Sequence, residues 1–188
     1  MKTKILVAVI HGSHLYGMAN LDSDIDHYVV YDFTNKNWRP KKQTIHKITQ
    51  EKDFTRISLE NFTEQCYKGV PQALEALFSH PNQWIEYSSE WLTLSEELRS
   101  RITTQNSLNS ILDAYKRTAT NFAREDNFKK NRHALRLCIN AKQLKDYRWM
   151  SPTLDAKEIE RINTYAMLPY EHRMSIFKRE YFGIFDDV

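Results

Sequence analysis

Two aspartates at alternate positions, Asp24 and Asp26, lead into the apolar run Ile25–Tyr31 (IDHYVVY). On an extended chain, residues two apart project to one side, with ~6–7 Å between their α-carbons. Two carboxylates ~6 Å apart repel by about 3 kcal/mol at an effective dielectric near 20. That is a noticeable fraction of the roughly 5–15 kcal/mol that keeps a domain folded. A divalent cation removes the penalty, and an oxygen-only donor set suits Mg²⁺ or Mn²⁺. A solvated turn is the competing reading of such a cluster, and Asp22-Ser23, of the same parity but earlier, reads as that turn. Upstream, Gly12-Ser13 follows the apolar run Lys4–Ile10 (KILVAVI). A glycine and a serine opening a helix-compatible stretch offer backbone N–H groups and a hydroxyl to an anion; a plain N-cap on a tight turn is the alternative. An anion cradle beside a metal-binding carboxylate pair is what a nucleoside triphosphate with its divalent ion requires.

These residues need elements to hold them. Lys4–Ile10 is continuous enough to be a central strand. Ile25–Tyr31 is β-branched and aromatic and predicts a second strand. Thr44–Thr49 and Asp53–Leu59 alternate, as strands with one wet face do. Glu60–Lys68 and Gln72–Ser79 have helical spacing, with Gly69-Val70-Pro71 breaking between them. Beyond Trp91–Arg99 strand signals vanish. Ser107–Phe122, Lys129–Trp149, Leu154–Met167 and Glu171–Tyr181 predict helices. The expectation is an α+β fold: a small mixed β-sheet with helices over residues 1–95, then a helical subdomain over residues 96–188 packed against it.

The 188 residues, 41% of them hydrophobic, suffice for one sizeable core. No run approaches the 18 apolar residues of a membrane span, and the first apolar run is short for a signal-peptide core, so no membrane partner and a cytoplasmic location are expected. Cys66 and Cys138 lie far apart without metal-ligand spacing and read as free thiols. A net charge of +3 is compatible with a nucleic-acid or nucleotide partner without arguing for one. His11 and His14 flank the Gly-Ser pair and read as ordinary loop positions, and His46 as solvent-facing. In Asn35–Lys42, Trp38 stands among basic residues; such a loop is either a solvated turn or a surface that stacks bases.

The pattern Gly12-Ser13 followed by Asp24-x-Asp26 resembles the DNA polymerase β-type nucleotidyltransferase superfamily. The fuller string Gly-Ser-x-x-Tyr-Gly…Asp-Ser-Asp-Ile-Asp is similar to the branch associated with RNA repair. Asp53-Phe54…Leu59…Phe62, then Gly69-x-Pro71…Leu74-Glu75-x-Leu77-Phe78, resembles that branch's third-carboxylate strand and following helices. Lys130-x-x-His133-Ala134-Leu135-Arg136-Leu137 resembles its helical motif. The likeness covers roughly residues 5–148. It implies that Asp24, Asp26 and Asp53 are catalytic and ligate metal, with Glu51 the rival for the third place. Two ions about 3.5–4 Å apart would serve in-line displacement at the α-phosphorus. Gly12 and Ser13 would hold the β- and γ-phosphates, and Lys130, His133 and Arg136 would bind nucleotide across a cleft. The implied reaction moves NMP from an NTP to a hydroxyl, with an RNA end, possibly of tRNA, as the favoured acceptor. A protein side chain as acceptor, or a non-catalytic nucleotide- or RNA-binding module, are the alternatives. His14 and Tyr28 depart from the branch, which often carries Arg at or near those positions.

Overall fold

The computed structural model describes residues 3–33, 44–48 and 53–185. The loop Asn35–Lys42 and Glu51 lie outside them, as do the side chains of His46 and Asp53. The chain runs through β1 (Thr3–His11), α1 (Gly12–Tyr16), β2 (Asp26–Phe33), β3 (Thr44–Ile48) and β4 (Asp53–Ser58). It continues through α2 (Leu59–Tyr67), α3 (Pro71–Phe78), a 3-10 turn at Pro81–Gln83, and β5 (Trp84–Tyr87). Five further helices follow: α4 (Ser89–Ile102), α5 (Gln105–Arg124), α6 (Phe128–Tyr147), α7 (Ala156–Met167) and α8 (Tyr170–Phe185). The fold is α+β, with every described strand ahead of residue 88 and helices alone after it.

The strands form one mixed sheet in the order β3-β4-β2-β1-β5. β1 is antiparallel to β2 and β5, and β2 is parallel to β4. This interior position explains the unbroken apolar run of β1, where Leu6, Val7, Ala8 and Val9 are all buried. β5 and α4 were not legible as elements. β5 has four residues and three of them are exposed, so it carries no amphipathic pattern to read.

The helices are set by local signals. The Asn127 side chain accepts from the Lys130 amide and starts α6. Arg148, with φ 58°, stops it. Asp155 and Glu158 form a capping box at α7, and Pro71 occupies the first turn of α3. A continuous apolar core joins the sheet, through Val7, Val9 and Val30, to α5 and α6, through Leu112, Tyr115, Leu135 and Leu137. At Gly69, with φ +68°, an added Cβ would stand 2.8 Å from the Ala114 Cβ and 2.9 Å from the Ile111 Cα, so α5 packs directly on that backbone.

Candidate active site

β1 and β2 end their ladder at the pair His11↔Asp26. Past this rung the first strand turns into α1 and the second arrives from the turn that precedes it. Asp24 therefore lies just outside the strand, in irregular backbone, and not on the strand face that strict alternation predicts. Other bonds fix it. The Asn20 side-chain oxygen accepts from the Asp22 amide (3.1 Å) and the Ser23 hydroxyl (2.8 Å), and the Ser23 oxygen accepts from the Asn20 amide (2.9 Å). The His14 ring Nε2 meets the Ser23 carbonyl at 3.2 Å. This self-bonded turn leads into Asp24, and the Asp22-Ser23 segment is the turn that the sequence suggests.

Asp26 sits closer to the Gly-Ser pair than spacing alone reveals. Gly12 has φ +65°, and an added Cβ would fall 1.9 Å from the Asp26 Oδ2 and 2.9 Å from its Cγ. The carboxylate occupies the space that any other residue type would fill. Gly12, Ser13, Asp24, Asp26 and His133 all line one open cavity of about 560 Å³. That volume lies within the range of small-molecule sites. Its opposite wall comes from the start of α6 and includes Phe128, Lys129 and Arg132, with Gln72 of α3 nearby.

Asp53 opens β4, the parallel neighbour of β2. His27 pairs with Phe54, so the residues one position earlier, Asp26 and Asp53, begin adjacent parallel strands. Among the described residues, no three His, Cys, Asp or Glu side chains gather as a metal site; the Asp53 side chain lies outside that set. Three aspartates line the cavity, Asp22, Asp24 and Asp26, and their carboxylates are hard oxygen ligands that fit Mg²⁺ or Mn²⁺.

Two of the residues named from the helical motif stand elsewhere. Lys130 does not line the cavity; its ammonium pairs with Glu125. Arg136 is 3% exposed and does not line it either. Its Nη1 donates to the Glu75 Oε1 (2.6 Å) and the Asn140 Oδ1 (3.2 Å), and its guanidinium lies 3.8 Å over the Tyr16 ring. The Tyr16 hydroxyl donates to the other Glu75 oxygen at 2.6 Å, and Asn140 donates to the Ser151 carbonyl at 3.0 Å. Glu75, 1% exposed, is thus the hub of a buried network tying α1, α3 and α6 together. Burial alone would raise its carboxyl; Arg136, then His11 and the Tyr16 hydroxyl, outweigh that and hold it below the ordinary carboxylate range.

His11 is not a loop residue. It closes β1, is buried, and stands 3.5 Å from Glu75. Burial pushes its imidazole down, with Arg136 adding to the effect and Glu75 opposing it. His133 accepts from the Arg136 Nε at its Nδ1 (3.3 Å), and burial, helped by Arg136, pushes it down to about 3. Both rings are neutral near pH 7. Tyr28 is buried, with its hydroxyl 3.3 Å from the Gln65 Oε1. Beneath the cradle, the Leu15 carbonyl accepts from the Thr153 hydroxyl (2.9 Å), and the Leu154 amide donates to the Tyr16 carbonyl (3.2 Å).

The wall residues Phe128, Lys129 and Arg132 are not singled out by the sequence reading. The available signal was helical phase. Residues 129, 132 and 133 share a face, and 130 points about 100° away from 129.

No helix among the described residues is long and apolar enough to cross a membrane. No curated protein shows a significant match. Among solved structures, the chain is similar to a nucleotidyltransferase-like protein from Exiguobacterium sibiricum at 10% identity, covering 97% of this chain and 69% of that chain with a TM-score of 0.39, a likeness too loose to carry an argument. The match that carries weight is of sequence and runs over residues 1–175, taking in the cradle, the aspartates and the helices behind them: the chain belongs to the RNA repair pathway DNA polymerase beta family.

Proposed function

We propose that this protein is a divalent-metal-dependent nucleotidyltransferase that moves NMP from an NTP to a hydroxyl on an RNA end, tRNA included, and releases pyrophosphate. The observation that carries the reading is the Asp26 carboxylate seated against the Gly12 backbone, with Ser13 and Asp24 on the same cavity. Gly12 and Ser13 hold the β- and γ-phosphates. Asp24 and Asp26, with Asp53 from the neighbouring strand, gather the negative donor set. Bound Mg²⁺ or Mn²⁺ supplies charge neutralisation of the triphosphate and polarises the attacking hydroxyl. The acceptor oxygen forms its bond to the α-phosphorus as the bond from that phosphorus to the β-bridging oxygen breaks. The hydroxyl proton passes to the carboxylate cluster, and pyrophosphate leaves. His133, neutral and bonded through Nδ1 to Arg136, keeps its proton on Nε2 and serves the nucleotide as a donor without charge. Arg136 acts from behind the cavity by holding His133 and Tyr16 in place, while Lys130 pairs with Glu125 outside it. Two buried free cysteines suit a reducing, cytoplasmic setting.

The test is incubation with each α-³²P-labelled NTP, Mg²⁺ or Mn²⁺, and RNA, DNA or protein acceptors. Label in RNA that depends on metal, and is lost in the Asp24→Asn, Asp26→Asn double variant, is the expected result. Label in protein but not RNA overturns the acceptor, and no label in any arm overturns the transferase.

A further inference from the structure

The cavity has a second wall that the carboxylates and the cradle do not account for. Phe128, Lys129 and Arg132 project from the first turn and a half of α6 and line the same space as Gly12, Ser13, Asp24 and Asp26. Phe128 is a large aromatic left 46% exposed, an uneconomical position for a ring whose only duty is packing. The Arg132 guanidinium lies 5.6 Å from the Phe128 ring centroid. Among the described residues its one hydrogen bond is a long 3.5 Å contact from Nη2 to the Met18 carbonyl. The Arg132 Nε is buried without a hydrogen-bond partner among the described residues. His11, 7% exposed, lines the cavity too; its Nε2 makes no hydrogen bond among the described residues and stands 3.5 Å from the Glu75 carboxylate. A partly buried cation with an unmet Nε, a cation beside it and an exposed ring stand on one cavity with the carboxylates of Asp22, Asp24 and Asp26. Polar atoms unmet by protein in an open cavity are met by water or by a bound ligand that displaces it. A ligand that presents an anion to the cations and a flat π-face to the ring is a nucleotide.

We propose that this wall recognises the incoming nucleoside triphosphate: the Phe128 ring stacks on the base, and Lys129 and Arg132 bind non-bridging oxygens of the triphosphate. The inference rests on the nucleotidyl-transfer reading above and adds to it the residues that grip the donor. Stacking is indifferent to base identity, because every base has a π-face. Phe128 therefore supports all four nucleotides, and any preference among them comes from other groups.

The experiment is equilibrium binding of the α,β-methylene analogues of ATP, GTP, CTP and UTP with Mg²⁺. It compares the parent, Phe128→Ala, Phe128→Trp, a Lys129→Ala, Arg132→Ala double variant and the Asp24→Asn, Asp26→Asn double variant, each after its cooperative melting is verified. Phe128→Ala weakens all four analogues by similar factors, roughly 5- to 100-fold, and Phe128→Trp keeps parental affinity. The double cation variant weakens the analogues by about 10-fold or more, flattens their salt dependence, and leaves binding of the uncharged nucleosides unchanged. Parental affinity in Phe128→Ala, a loss confined to one base, or weakened RNA binding with unchanged analogue affinity overturns the proposal. If the parent binds no analogue, the transferase reading falls and takes this inference with it. If the parent binds and only the aspartate variant loses affinity, the inference alone falls.

Discussion

Gly12 tolerates no side chain. A Cβ there would overlap the Asp26 carboxylate, and φ +65° adds about 1–2 kcal/mol of backbone strain for any other residue. Gly12→Ala is expected to lower stability by about that amount in urea unfolding while cutting turnover at least ~100-fold, because Asp26 must move away from its station. Turnover within a few-fold of the parent would mean that the contact between Gly12 and Asp26 does not position the carboxylate. His133 makes a pH prediction. Its folded pKa is depressed to about 3, against an ordinary value near 6.5. Between those values the unfolded chain takes up a proton that the native state refuses. The native state is therefore fully favoured above pH ~6.5 and loses stability as pH falls, by up to about 1.4 kcal/mol per pH unit. His133→Gln, which keeps an acceptor for Arg136, should show a shallower loss between pH 7 and 5 by denaturant titration. An unchanged slope would assign the titration elsewhere. His11 is pushed the same way and adds to the parental slope, whereas Glu75, held low, acts only below the ordinary carboxylate range, where its contribution is lost as pH falls. At this scale much of the site was legible. Gly12, Ser13, Asp24 and Asp26 announce themselves by type and spacing. Glu75 did not, because a buried acid reads from the chain as one more polar residue on a helix.

At the scale of elements, the resemblance groups Lys130, His133 and Arg136 on α6, and packing turns Arg136 toward α3. The three-residue step Lys130, His133, Arg136 marks one side of α6, but it does not say which side meets the cavity and which meets α3. Packing settles that, and it brings Arg136 onto Glu75 and Tyr16. A buried ion pair is costly to break by halves. Arg136→Met or Glu75→Leu alone should each cost about 3–5 kcal/mol, while the double variant costs far less than their sum. Additive losses in urea unfolding would show that the two residues do not act as a pair. β1 and β2 were legible because continuous apolar and β-branched runs leave few alternatives. β5 was not, since a four-residue edge strand is defined by its neighbour and not by its own pattern. The same reasoning explains Asp24. Alternation predicts a strand face, but the ladder stops at Asp26 because β1 has already turned into α1, and the Asn20–Ser23 turn takes over.

For the whole molecule, the sheet and the helical half share a continuous core, and the cavity draws one wall from each. A ligand gripped by both walls binds only the native state, so it raises the melting temperature with the logarithm of its free concentration above Kd. Mg²⁺ with an NTP should therefore raise the melting temperature of the parent by several degrees. It should leave the Asp24→Asn, Asp26→Asn variant nearly unmoved. An identical rise in both would place the ion elsewhere. The α+β order of the elements was readable because the last strand pattern is Asp53–Leu59 and helical spacing follows it. How the two halves meet was not, since it depends on the Glu75 network and on the α6 face, and both emerge only in three dimensions.

The bonds from Thr153 and Leu154 to the Leu15 and Tyr16 carbonyls have a mechanical corollary. The turn formed by α1 is bonded to the connection between α6 and α7, so a pull on either is felt by the other. Occupying the pocket should accordingly slow deuterium uptake at the Leu154 amide, a strand of chain that touches no substrate.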